Sequence, residues 1–148
     1  MRDFLDTSVL VAAFVHTHVH HRASVELLAS AAPEHSACGV HTLAEVYATM
    51  TALPVQPMIP PEQAMLFLEE IRNRLTLVVL NEEEYFDTIR KTAEHGFTTG
   101  RVYDALLLQC AVKAKAQIIY TWNVKHFQAL APHLADRIRK PLGDGRKI

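Results

Sequence analysis

The sequence predicts a parallel α/β fold, a sheet with helices on both faces. Three observations carry this. Short apolar segments at 3–6, 36–40, 76–80 and 117–121 are separated by long helical segments. Connections of that length exclude hairpins and point to parallel pairing. The run Thr76-Leu77-Val78-Val79-Leu80 is apolar without alternation, the pattern of a strand covered on both faces. The intervening segments carry apolar residues at helical spacing and stop at proline or glycine. The predicted order is β-α-α-β-α-α-β-α-α-β-α, with a short edge strand over 137–141.

The first strand, Phe4-Leu5, closes on Asp6 and runs straight into the apolar helix Val9 to Val15. Asp6, Thr7 and Ser8 are all good N-cap residues. If Thr7 or Ser8 takes the cap, the Asp6 carboxylate is left facing outward. His16-Thr17-His18-Val19-His20-His21 follows, with four histidines in six residues. That spacing is not the i, i+4 pair of a helical zinc site, so it reads as a polar turn at the mouth of a cleft.

Arg22 to Ala32 is helical through Val25, Leu28 and Ala29, and Pro33 ends it. Ser36 to Val40 is a strand of small residues. Thr42-Leu43-Ala44-Glu45 has the form of a capping box opening the next helix. Four prolines between 54 and 61 break the chain, and Pro61 suits the first turn of the helix Glu62 to Leu75. Asn81 caps a helix whose first turn holds Glu82, Glu83 and Glu84, acids that suit the positive helix end. That helix ends near His95-Gly96. Arg101 to Ala116 is strongly apolar and reads as a central, buried helix. After the strand at 117–121 comes a short helix, Lys125 to Leu130, ended by Pro132. The reading is one domain over 1–142 with a frayed tail at 143–148.

Composition narrows the function. The 148 residues are 49% hydrophobic with a formal net charge of −1. This argues against coating nucleic acid by bulk electrostatics. No apolar run reaches the roughly 18 residues of a membrane span, and no secretion signal is visible. Cys38 and Cys110 sit in apolar surroundings without metal-type spacing. They read as buried reduced thiols of a cytoplasmic protein.

The candidate chemistry lies in carboxylates that share one sheet edge. Asp6 ends the first strand, and Glu45 starts the helix after the second. Thr121 and Asn123 end the fourth strand. In a parallel sheet, strand ends and following helix starts lie on one edge. Asp104, in the first turn of a helix leading into the fourth strand, reaches that edge only if the fold assignment holds. Each acid taken singly is explained by capping. The set is harder to dismiss, because Glu45 and Asp104 have apolar neighbours and three buried acids repel one another. A hard divalent cation with oxygen ligands, Mg²⁺ or Mn²⁺, answers that repulsion.

Leu5-Asp6-Thr7-Ser8-Val9-Leu10, Thr42-Leu43-Ala44-Glu45-Val46-Tyr47, Tyr103-Asp104-Ala105-Leu106-Leu107 and Thr121-Trp122-Asn123-Val124-Lys125-His126-Phe127, in this order, resemble a PIN domain. The similarity is to the VapC-type ribonuclease toxins of toxin–antitoxin pairs, and it spans residue 3 to about residue 141. The resemblance implies a three-layer α/β/α sandwich with a parallel sheet of about five strands. It implies that Asp6, Glu45 and Asp104 hold Mg²⁺ or Mn²⁺, with Thr7 or Ser8 and Thr121 steadying the acids or their waters. It further implies hydrolysis of RNA phosphodiesters to 5′-phosphate and 3′-hydroxyl ends, inhibition by a small antitoxin protein, and a homodimer. Arg101 and Lys125 are candidate RNA phosphate contacts.

Asn123 departs from the family pattern, which often has a fourth carboxylate there, and His126 offers no compensating acid. Asn123 therefore keeps a second reading open, an RNA- or protein-binding module with a degraded site. A phosphatase with an aspartyl nucleophile at Asp6 needs a second acid two residues away. Asp3 is three away and falls on the opposite face of the strand.

Overall fold

The computed structural model describes residues 1–142; the predicted tail at 143–148 lies outside the described residues. Five parallel strands form one sheet: β1 (Asp3–Leu5), β2 (Ser36–Gly39), β3 (Thr76–Val78), β4 (Ile118–Tyr120) and β5 (Ile138–Arg139). Their spatial order is β3-β2-β1-β4-β5. Among the described residues seven α-helices flank it: α1 (Thr7–Phe14), α2 (His21–Ala29), α3 (His41–Ala52), α4 (Pro61–Arg74), α5 (Glu82–Glu94), α6 (Arg101–Lys113) and α7 (Val124–Leu130).

β1 is central, with Phe4 registered against Ala37 on one side and Ile119 on the other. Adjacent residues of a strand point to opposite faces, and β1 divides the core in this way. Phe4 joins Ala37, Leu107, Ala111, Ile119 and Phe127 on the α6–α7 side. Leu5 joins Val9, Leu10, Val46, Met50 and Ile71 on the α1–α4 side. The result is the three-layer α/β/α sandwich expected. Phe127 is fully buried. Phe127→Ala is expected to cost about 3–5 kcal/mol, read as a lowered urea midpoint.

The strand order places the crevice. From β1 the chain steps outward to β2 and β3, then returns through α5 and α6 to lay β4 on the other side of β1. The carboxyl ends of β1 and β4 thus flank a switch point, where open α/β sheets bind ligands. Gly39 lets α6 close on β2. A Cβ there would sit 2.7 Å from Leu107 Cδ2. That close approach carries Asp104, at the start of α6, toward the strand ends.

Three local expectations are corrected. The apolar run at 76–80 is an edge strand only three residues long, and Val79 is 58% exposed. Both faces of the strand are covered as expected, Val78 lying within the α6–α7 cluster and Leu77 packing against the α1–α4 cluster. The capping box at Thr42 does not form. α3 begins at His41, its N-cap is Val40, and Thr42 is buried. Asp6 itself is the N-cap of α1, so Thr7 and Ser8 do not relieve it of that role. Pro132 lies just past the end of α7 at Leu130, as expected. It opens a 3-10 segment, Pro132–Arg137, that leads into β5. Asn81 and Glu84 form a full capping box, and Pro61 occupies the first turn of α4.

Candidate active site at the ends of β1 and β4

Asp6 is buried at the carboxyl end of β1. Its Oδ2 accepts hydrogen bonds from Ser8 Oγ at 2.7 Å, Thr121 Oγ1 at 2.8 Å and the Ser8 amide at 3.3 Å. Each hydroxyl has one proton to give, and both are given to Asp6. Their lone pairs are used too. Ser8 Oγ accepts from the Trp122 amide at 3.0 Å, and Thr121 Oγ1 from the Asn123 amide at 3.0 Å. The β4 end and the α1 start are thereby tied to one carboxylate. Burial pushes the Asp6 pKa up, and these hydrogen bonds pull against it.

Glu45 is held from across the sheet. Thr7 Oγ1 donates to Glu45 Oε1 at 2.8 Å. Thr7 has then spent its proton, so the 2.9 Å contact with Thr42 Oγ1 is a bond donated by Thr42. Thr42 was read as a cap, and its long-range partner left no short-range signal. Burial raises the Glu45 pKa first; the Thr7 bond and His41 lower it, and Asp6 raises it. Thr7→Val is expected to raise the Glu45 pKa further, because it removes the donor to the ionised form. Carboxylate NMR across a pH titration checks this, and an unmoved Glu45 would refute the assigned bond.

Asp104 completes the group electrostatically. Its pKa is pushed up to about 7, chiefly by burial, then by the charges of Asp6 and Glu45, with Arg101 opposing. The three acids thus feel one another, as the sequence reading expected. They do not close into a ready-made cage. Among the described residues, no three His, Cys, Asp or Glu side chains form a metal-holding group. Asp6 is tied back by Ser8 and Thr121, and Glu45 by Thr7.

The other candidates are placed as follows. Asn123 is exposed and makes no side-chain cap to α7. Lys125 is exposed. Arg101 lies over the Phe97 ring, 5.6 Å from its centroid, and its buried Nη1 has no hydrogen-bond partner. Asp3 is buried away from the crevice and pairs with Arg2 at 3.3 Å. The histidine turn reaches the site through Trp122. The His20 ring stacks on the indole at 3.7 Å and 6°, and Trp122 Nε1 donates to the buried Ser24 at 2.8 Å. Burial lowers the His20 pKa, and His18 and Lys140 add to this. Cys38 and Cys110 are buried free thiols, as expected.

A family model described as PIN domain matches residues 4–131. The chain belongs to the PIN-domain family. It is 34% identical over 114 residues to Ribonuclease VapC27 of Mycobacterium tuberculosis, covering 77% of this chain and 80% of the relative. The structure of the same organism's VapC20, titled a Sarcin-Ricin loop cleaving toxin, superposes with a TM-score of 0.70. It has 16% identity and covers 86% of this chain and 94% of the other. Rickettsia felis VapBC2, solved bound to a DNA fragment from its promoter, gives 0.63 at 20% identity, covering 95% and 98%.

The carboxylates of this PIN domain suit a hard divalent cation. They offer only oxygen donors, and each of the three has a raised pKa. Burial raises all three, Asp6 also acts on Glu45, and both act on Asp104, so a cation among them would relieve the group. Among the described residues, no helix is long and apolar enough to cross a membrane.

Proposed function

We propose that this PIN domain is a divalent-cation-dependent endoribonuclease, the toxin of a toxin–antitoxin pair. The observation that carries this reading is the half-buried Asp104 carboxyl at the switch point of the sheet, where burial and the charges of Asp6 and Glu45 disfavour its ionised form. Glu45 and Asp104 are partly exposed and face the crevice mouth, whereas Asp6 is buried and anchored. We assign all three to Mg²⁺ or Mn²⁺. When bound, the cation supplies Lewis acidity for phosphodiester hydrolysis.

The chain's own groups prepare that chemistry. Ser8 and Thr121 fix Asp6 in one rotamer, and Thr7, itself held by Thr42, fixes Glu45. Glu45 or Asp104 orients the attacking water and receives its proton, a role that suits a carboxyl of raised pKa. Arg101, whose charge already acts on Asp104, and the exposed Lys125 are assigned to phosphate oxygens. Asn123 offers an amide oxygen to water but adds no charge.

The test is cleavage of an unstructured RNA by the purified protein with Mg²⁺ or Mn²⁺ and with EDTA. Cleavage lost in EDTA, with 5′-phosphate and 3′-hydroxyl ends, is expected. Absence of cleavage with either metal would favour the binding-module reading that Asn123 keeps open. We also propose a cytoplasmic homodimer held inactive by a small antitoxin. Growth arrest on induction, relieved by co-expressing the neighbouring small gene, checks the partner, and light scattering checks the dimer.

A further inference from the structure

A second aromatic stack joins the starts of α3 and α6. The rings of His41 and Tyr103 are stacked, 5.3 Å between centroids and 10° from parallel. His41 stands one helical turn before Glu45 on α3, so both side chains share a face. Tyr103 immediately precedes Asp104 on α6. The pair therefore bridges the starts of the two helices that carry the outer carboxylates. Tyr103 is 46% exposed.

Charge gives this pair a purpose. RNA must bring a polyanion to three carboxylates on a chain of net charge −1. Bulk electrostatics supplies little attraction there, even with a cation at the site. Beyond the two phosphate contacts assigned to Arg101 and Lys125, the bases are the remaining source of binding, and a base offers an aromatic face only when it is unpaired. The Trp122 stack is less suited to this. Its indole is covered by His20 at 3.7 Å, and its N–H is spent on Ser24.

We propose that His41 and Tyr103 form a platform on which one base of a single-stranded RNA stacks, next to the phosphodiester presented to Asp6, Glu45 and Asp104. The proposal rests on the nuclease reading for the class of ligand. It makes the enzyme selective for unpaired segments and assigns part of the substrate affinity to the aromatic pair.

The test separates binding from cleavage. A short, unstructured, fluorescein-labelled RNA is titrated by anisotropy, with Mg²⁺ present, into Asp104→Asn protein and into the same protein carrying Tyr103→Leu or Tyr103→Phe. The same RNA as a duplex is titrated alongside. Loss of the aromatic face in Tyr103→Leu is expected to weaken single-strand binding about tenfold. Tyr103→Phe keeps a ring and is expected to stay within about twofold of its parent. His41→Ala provides a second, independent loss. The proposal is overturned if Tyr103→Leu binds as its parent does, if Phe fails as Leu does, if the duplex binds as well as the single strand, or if no RNA binds. Wild-type protein that does not cleave while these differences persist would sink the nuclease reading and leave the platform standing.

Discussion

Asp104→Asn is expected to lower metal-dependent RNA cleavage by about a thousandfold, roughly 4 kcal/mol of barrier. The substitution is nearly isosteric and keeps an oxygen toward the crevice, so binding of RNA through other groups survives. What it removes is one of three charges assigned to the cation. The accompanying stability result is what makes the variant informative. Asp104 is pushed up to about 7 by burial and by its acidic neighbours. Its ionised form is therefore a liability to the metal-free fold, and the amide is expected to melt at the same temperature or higher at pH 8. Lost cleavage with a raised melting temperature cannot be put down to unfolding. Undiminished cleavage would remove Asp104 from the proposed machinery.

The fold was legible because strand–helix alternation and connection length restrict the topology severely. The meeting of Asp6 with the β4 end was legible for the same reason, since the ends of parallel strands share an edge. The details that escaped the sequence reading are those in which a long-range partner competes with a local pattern. Thr42 and Glu45 have capping-box spacing, yet Thr42 gives its proton to Thr7, which lies 35 residues away. Asp6 serves as cap and anchor at once, because one oxygen can accept three bonds. β3 was read two residues too long because the apolar run continues past its last pairing with β2, at Val78. His41 was overlooked because the helix was started one residue late, at Thr42, which hid its relation to Glu45 on the same face. The histidine turn gave no metal spacing, and its link to the crevice runs through a stack with Trp122, a contact between distant segments.

Metal-free protein is expected to lose stability as pH rises from about 4 to about 7 through the Asp104 contribution, and added Mg²⁺ is expected to restore it at pH 8 but not at pH 5. The sign follows from proton binding. The folded-state pKa of Asp104 lies near 7, above its ordinary 3.8, so across that window the folded chain holds more protons than the unfolded one. Stability then falls with rising pH, and the contribution is fully lost above pH 7. Glu45, also raised, acts in the same direction. His20, with its lowered pKa, acts in the opposite direction. The comparison that isolates the carboxylate is therefore wild type against Asp104→Asn. Asp104 is partly exposed, and after the discount this requires about 1–2 kcal/mol remains, or about 3–6 °C of melting temperature at pH 8. The gap is expected to close by pH 4. A cation competes with the proton for the same oxygens, so saturating Mg²⁺ at about a hundred times its Kd adds roughly 2.7 kcal/mol at pH 8. That increment is expected to shrink at pH 5, where Asp104 is protonated, and to be small at any pH in Asp104→Asn. An equal Mg²⁺ increment at pH 5 and pH 8, or an undiminished one in the variant, would place the cation elsewhere on the protein.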